Sequence, residues 1–343
     1  ARTTAMAAAS SPASTRVVQF SEFADTTANL SIESVPVRAP EAGEVVVAIT
    51  YAAINPVDSM VAKGYLKAAG WAMDLPFHSG YDFAGTVEQV GEGVSDLAVG
   101  DKVCAVNWGD RKHDDDAKTV GSAFADRITL PARKVSKVPA GLDLKTAAAF
   151  PLVATTAHQA LFRELKLSAG DHVLILGGAG AVGTVAIQLA KLRGIKVTTT
   201  ASPRTSAAVA ALGPDAIVDY TAADWSEDEA LRGVDAVFDA IGERDGFARA
   251  KKVLKADGGF LSISSHDAGF DPSAHAPLRY AAFMALSNDK AVQDEVAALL
   301  AAGSVKLAVD EVFDFTLEGV RAMFAKQDSG KSIGKNLLRV GSE

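Results

Sequence analysis

The sequence predicts a two-domain α/β protein, and three observations carry that expectation. Its 343 residues, 48% of them hydrophobic, exceed what a single core usually holds. From Val17 to about Pro139, short β-type runs are broken by glycine and proline, the texture of an antiparallel, barrel-like β domain. From about Leu144, strand-like and helix-like segments alternate, as in a parallel, doubly wound sheet. The expected division is a flexible tail over 1–16, the barrel-like unit over 17–145, the doubly wound unit over 146–302, and 303–343 returning to complete the barrel-like unit.

Taken in order, the Ala/Ser/Thr-rich stretch Ala1 to Thr15 fits a processed transit-peptide remnant, added residues around Met6, or a plain tail, and so leaves cytoplasm and plastid both open. The β-type runs are EVVVAITYAAI (44–54), FAGTVEQVGEGV (83–94), DKVCAV (101–106) and FADRITL (124–130). Between the last two lies a polar loop, Val106 to Ser122, in which Trp108 reads equally as a platform for a planar ring and as an anchor. The alternating part begins with the helical KTAAAFPLVATTAHQAL (145–161). It continues through HVLIL (172–176), AVGTVAIQLAKLRG (181–194), KVTTTAS (196–202), RTSAAVAALG (204–213), AIVDY (216–220), AVFDAIG (236–242), FARAKKVLKADG (247–258) and GFLSISS (259–265). The closing stretch reads as helix, strand, helix and the strand KNLLRV (335–340).

Composition removes several classes of function. The formal net charge is −8 and the basic residues are scattered, so nucleic acid is not an expected partner. No apolar run approaches bilayer length, so no membrane partner is expected. The single cysteine, Cys104, rules out an internal disulfide and a multi-cysteine zinc site. His113 to Asp116 has ligand-type chemistry, but consecutive loop residues seldom converge on one ion. Ser265-His266-Asp267 has hydrolase residue types without the Gly-x-Ser-x-Gly turn that would expose a nucleophile.

The apolar run His172 to Leu176 leads directly into Gly177-Gly178-Ala179-Gly180-Ala181-Val182-Gly183 and then into a helical segment. Alone, such a run reads equally well as a structural turn. A strand before it, a helix after it and a second strand close behind are the context of a dinucleotide-binding turn. Gly178 is expected to make the tight turn, Gly180 to clear space for a pyrophosphate, and Gly183 to let helix and strand pack closely. Unpaired N–H groups at the helix start, around Ala181 and Val182, would face the phosphates. About 20 residues on, where a carboxylate takes the ribose hydroxyls of NAD, stand Thr200, Ala201 and Ser202, with Arg204 just beyond. With no carboxylate to repel a 2′-phosphate and a guanidinium near, NADPH is expected over NADH. The other reading of Arg204 is a solvated arginine at a helix start.

These landmarks, with AAINPVDSMVAKGY (52–65), LPFHSGYDFAGTVEQVGEGV (75–94), VGDKV (99–103), ATTAHQAL (154–161), GGAGAVGTVAIQLAK (177–191) and GKNLLRV (334–340), resemble one family. The chain is similar, from about Val17 onward, to the medium-chain dehydrogenase/reductase superfamily, in its zinc-independent quinone oxidoreductase branch with ζ-crystallin-like and alkenal reductase members. The resemblance implies a GroES-like catalytic domain and a Rossmann domain. Zinc-using relatives carry a cysteine ligand where this chain has Asn55, and Gly-His-Glu where it has Gly80-Tyr81-Asp82. Neither a thiolate nor an imidazole is therefore expected at a metal, and no metal site is expected.

By the same resemblance, Asn55 and Tyr65 line the catalytic site. Tyr65 is either a proton donor or a pocket-wall aromatic, and Asp58 is a structural carboxylate. Thr156 belongs beside the nicotinamide, Tyr220 near the adenosine phosphate, and Asn336 among the cofactor contacts. The implied reaction is metal-free hydride transfer from NADPH to a quinone, with 2-alkenal or enone reduction as the rival. A crystallin-like protein that holds NADPH without turnover is the reading from another class. A homodimer is also implied, with the sheet edge expected near Gly258 to Ser264.

Overall fold

The computed structural model describes residues 14–24, 27–68, 70, 73–108, 122–264, 271, 273 and 277–342. Most of the tail expected over 1–16, the acidic run His113 to Asp116, most of the polar loop after Trp108, and Ser265-His266-Asp267 lie outside the described residues.

The first part of the chain builds β1 (Ser14–Phe20), β2 (Leu30–Pro36), β3 (Glu44–Ala53), α1 (Pro56–Ala62), α2 (Tyr65–Ala68), β4 (Phe77–His78), β5 (Asp82–Val90), β6 (Lys102–Val106), β7 (Arg127–Pro131) and β8 (Ser136–Lys137). β1 pairs antiparallel with β2 and β4 in a three-stranded sheet. β3 is the spine of a second, seven-stranded sheet: it pairs antiparallel with β5 and β7, and almost every one of its side chains is buried. Val45 to Val47 and Tyr51 to Ala53 are apolar and mostly β-branched or small, which suits a strand covered on both faces. Two register shifts bend the β3–β5 pair, and Gly85 lies inside that bend, where a Cβ would come within 1.9 Å of the Ala48 carbonyl.

The second part contains α3 (Leu144–Ala149), α4 (Pro151–His158), β9 (His172–Leu176), α5 (Ala181–Leu192), β10 (Lys196–Ala201), α6 (Pro203–Ala210), β11 (Ala216–Asp219), β12 (Val234–Asp239), α7 (Gly246–Val253), β13 (Leu254–Ser262), β14 (Tyr280–Phe283) and α8 (Lys290–Ala301). Its six strands are all parallel, in the order β11-β10-β9-β12-β13-β14. Counted from β9 this is 3-2-1-4-5-6, the doubly wound order, and the order in which strands are added reverses between β9 and β12. The edge expected at Gly258 to Ser264 is not an edge. β13 is covered by β14, and among the described residues the open edge on that side belongs to Tyr280–Phe283.

The last part, β15 (Val309–Asp314), α9 (Leu317–Asp328) and β16 (Lys335–Arg339), returns to the seven-stranded sheet. β16 pairs antiparallel with β3, placing Leu337 opposite Ala53, and the Ile54 N–H donates to the Asn336 carbonyl at 3.1 Å. The first residues of β16 therefore lie beside the turn that leads into α1. One buried apolar cluster runs continuously from the seven-stranded sheet to one face of the parallel sheet; a second, around Trp225, Phe247 and Phe260, covers the other face. No helix among the described residues is long and apolar enough to cross a membrane.

Candidate active site

The parallel sheet reverses between β9 and β12, and the crevice at the carboxyl ends of such strands is where doubly wound sheets hold ligands. The glycine turn lies there. Gly177 has φ +86°, and a Cβ on it would come within 2.3 Å of the Ile241 side chain, so the tight turn falls to Gly177 rather than to Gly178. Gly178 serves a different need: its Cβ would meet the Thr199 hydroxyl at 2.2 Å, so its missing side chain lets the turn lie against β10. Two bonds fix that approach, Gly177 N–H to Thr200 Oγ1 at 2.9 Å and Gly178 N–H to the Thr200 carbonyl at 3.1 Å.

Gly180 is the N-cap of α5, and a Cβ there would meet only the Gly177 carbonyl, at 3.4 Å. The space beside it is open. Gly183, one turn into α5, is closed in: its Cβ would fall 2.2 Å from the same carbonyl. The first N–H groups of this 12-residue helix, at Ala181, Val182 and Gly183, lie next to the open space at Gly180. Opposite, the buried Asp239 carboxylate at the end of β12 accepts the N–H groups of Ile241, Gly242 and Glu243 and the Ser262 hydroxyl. It holds half-exposed Ile241 over the glycine turn.

The candidate 2′-phosphate residues follow the neighbouring strands at the same edge. Ser202 caps α6, with its hydroxyl 3.3 Å from that of Thr205. Arg204 is exposed and reaches the Lys331 carbonyl at 3.5 Å, while Tyr220, just past β11, is also exposed. The carboxyl edge of the sheet thus collects the glycine turn, Ser202, Arg204 and Tyr220.

A second group forms a buried polar knot where β16 meets the β3–α1 turn. The Lys335 ammonium, 3% exposed, donates to the Ile54 carbonyl at 2.8 Å and to Asn55 Oδ1, and lies 3.4 Å from Asp82 Oδ2. The Asn55 amide donates to Asp82 Oδ2 at 2.9 Å, and the other Asp82 oxygen accepts the Leu152 N–H at 2.8 Å. Asp58 accepts the Asn55 N–H at 2.7 Å, holding the start of α1 as expected of a structural carboxylate. Burial pushes the Asp58 carboxyl up to about 7, against the Asn55 N–H and Lys335, which lower it. Burial likewise raises Asp82 and lowers Lys335, and their mutual attraction opposes both shifts.

The knot changes the reading of Asn55. Both ends of its amide are engaged inside the protein and the residue is 1% exposed, so it is not a free donor facing a ligand. Tyr65, at the start of α2, is 49% exposed and stands apart from the knot. The Thr156 hydroxyl donates back to the Leu152 carbonyl at 2.8 Å. Asn336 is buried in β16, where its amide nitrogen donates to Ser332 at 2.8 Å and its Oδ1 has no hydrogen-bond partner among the described residues. Trp108 is buried with its ring 4.8 Å from that of Tyr81, which makes it an anchor.

Sequence reasoning missed Lys335 and the positive role of Asp82. The signal was present: each is a charged residue set in an apolar strand run, and buried charges require partners. Asp239 and Ile241 were also passed over, although they end and follow the strand next to the glycine turn.

Two family models match the chain: an alcohol dehydrogenase GroES-like domain over residues 41–140 and a zinc-binding dehydrogenase over residues 212–338. The chain is 33% identical over 294 residues to a chloroplastic NADPH-dependent alkenal/one oxidoreductase of Arabidopsis thaliana, covering 85% of this chain and 71% of that protein. It is 32% identical over 299 residues to a 2-methylene-furan-3-one reductase of Solanum lycopersicum, covering 86% and 71%. The quinone oxidoreductase of Coxiella burnetii superposes with a TM-score of 0.82 at 26% identity, covering 96% of this chain and all of that one.

The zinc in one of those descriptions does not fit the residues present. Asn55 offers an amide already bonded at both ends, Tyr81 a buried phenol, and Asp82 a carboxylate committed to Leu152, Asn55 and Lys335. The Lys335 ammonium already lies against this donor set, and a second cation there would be repelled by it.

Proposed function

The chain belongs to the quinone oxidoreductase and alkenal reductase branch of the medium-chain dehydrogenase/reductase family of oxidoreductases, and from that premise we propose that it reduces conjugated carbonyl compounds with NADPH. The observation that carries the proposal is the open space at Gly180 beside the α5 N-terminus, with Ser202 and Arg204 and no carboxylate following the neighbouring strand β10. The N–H groups of Ala181, Val182 and Gly183 bind the pyrophosphate, and Gly180 leaves it room. Ser202, Arg204 and Tyr220 bind the 2′-phosphate, a site that repays the extra charge of NADPH and gives NADH nothing. Bound NADPH supplies the hydride.

Thr156 walls the nicotinamide side of the cleft, and Asn55 supports the turn beneath the substrate rather than touching it. Quinones and enones both spread the incoming charge onto an oxygen, so one donor completes the reaction. Tyr65 is the candidate for that donor. Two substrate readings are favoured by different relatives: the similarity to the Coxiella burnetii enzyme supports quinones, and that to the Arabidopsis thaliana and tomato enzymes supports carbon–carbon double bonds next to a carbonyl. The chain is proposed to work as a homodimer, with the open β14 edge, Tyr280–Phe283, as the contact.

One experiment tests cofactor and substrate together: NADPH and NADH, each with a quinone and with 3-buten-2-one, with product identification. NADPH preference with a quinol or a saturated ketone as product is expected. NADH preference would overturn the cofactor assignment, and no turnover across a broad panel would leave a protein that only holds the nucleotide.

A further inference from the structure

The buried knot raises a question that cofactor binding does not answer. An ammonium and two carboxylates held out of water are costly unless well partnered, and apolar residues of similar volume usually serve stability as well or better. Lys335 is nonetheless buried together with Asp58 and Asp82. Its position is specific. The Lys335 ammonium contacts both Asn55 and Asp82, so one internal cation takes up the acceptors that these two residues turn inward.

The bonds of the knot form a directed path. Because Lys335 donates to Asn55 Oδ1, the amide must point its nitrogen at Asp82. Asp82 then accepts the Leu152 N–H, which is the first free donor of α4 because Pro151 precedes it and has none. Leu152 in turn carries, on its carbonyl, the Thr156 hydroxyl. α4 packs on α5, the helix that begins at the glycine turn. On its other side Lys335 holds the Ile54 carbonyl, at the entrance to α1. One charge therefore reaches the turn into α1 directly and the first turn of α4 through Asp82.

We propose that Lys335 is a positioning residue, its ammonium tying β16 to the Ile54–Asn55 turn and, through Asp82, setting the first turn of α4 that carries Thr156. The inference rests on the reductase reading above. Lys335 touches neither substrate nor cofactor and acts on the alignment of the groups that do. An error of about 1 Å in such an alignment costs up to about a hundredfold in rate with little effect on binding.

The test removes the charge without stranding its partner. K335M alone would leave buried carboxylates uncompensated, whereas K335M/D82N removes one charge of each sign. In that pair the Asn55 amide can turn over to accept from the new amide at position 82, which still accepts the Leu152 N–H. Thermal melting, the NADPH Kd by fluorescence titration, and kcat and KM for whichever acceptor the unmodified chain reduces are measured. The expected result is a cooperative melt, a Kd within about threefold of the unmodified chain, and a kcat lower by about tenfold to a hundredfold. A folded pair with unchanged kcat overturns the proposal. K335Q/D82N is judged by the same readouts if the first pair does not fold, and failure of both to fold makes Lys335 a fold residue and also overturns it. If the unmodified chain neither binds NADPH nor reduces any acceptor, the reductase reading fails and takes this inference with it; activity in the unmodified chain with an unchanged pair sinks Lys335 alone.

Discussion

Replacing Gly180 by alanine separates the cost of folding from the cost of binding, because the two glycines flanking the start of α5 differ in what an added methyl would meet. At Gly180 the backbone has φ −71° and ψ 159°, which alanine adopts freely, and the nearest atom to the new Cβ is the Gly177 carbonyl at 3.4 Å, ordinary contact. The fold should lose less than about 1 kcal/mol, the difference between glycine and alanine at an N-cap. That corresponds to a melting shift of a few degrees. If a pyrophosphate occupies the open side, the methyl intrudes on it, and overfilling a fitted site by one methyl costs about 1–3 kcal/mol, or about five- to 150-fold in Kd. G183A is the control: its Cβ would lie 2.2 Å from the Gly177 carbonyl and 2.9 Å from Gly178 Cα, so helix or turn must move and melting should fall markedly. Thermal melts and NADPH fluorescence titrations of the two variants decide the matter. A G180A protein that melts like the unmodified chain and binds NADPH equally tightly would refute the placement of the pyrophosphate at this turn.

Arg204→Ala should weaken NADPH binding by about ten- to a hundredfold and leave NADH binding unchanged, and equal losses for both would assign Arg204 to solvent. Tyr65→Phe should lower kcat if the phenol donates a proton to the substrate oxygen, whereas unchanged kinetics make it a wall aromatic. For Asp58, burial sets the folded-state carboxyl at about 7, above its ordinary 3.8, so its contribution to stability is present below about pH 4 and is lost as pH rises through about 7. Asp58→Asn keeps an acceptor for the Asn55 N–H and does not titrate. Its melting temperature relative to the unmodified chain should therefore rise from pH 5 to pH 8, and a constant difference would show that Asp58 does not change protonation in that range.

The doubly wound half was legible because its signals are local. HVLIL, AVGTVAIQLAKL and KVTTTA each carry their own period or β-branched character, and their alternation leaves few topologies; β9, α5 and β10 fall where those runs stand. The edge was misplaced for a related reason. GFLSISS reads as the last strong strand of the alternation, and β14 adds only Tyr280–Phe283, too short to announce itself by pattern. Which glycine makes the tight turn also escaped the motif, since φ depends on how β9 meets Ile241 and β10, contacts that spacing does not encode.

The polar knot was illegible for a different reason: it is assembled from residues 55, 58, 82, 152 and 335, and only pairing brings them together. β3–β5 pairing sets Asp82 opposite Ala53, and β16–β3 pairing brings Lys335 to the same turn. Read along the chain, Asn55 and Asp82 appear as positions where metal ligands are absent, and Lys335 as one of 34 basic residues, most of which a sequence reading leaves on the surface. Read in the structure, the three bond to one another, and the same Asn55 that looks like an active-site amide by resemblance is consumed in holding the turn. A resemblance transfers positions, but what a side chain does at that position depends on which hydrogen bonds are already taken. Here the bonds of Asn55 are taken by a lysine that lies some 280 residues further along the chain.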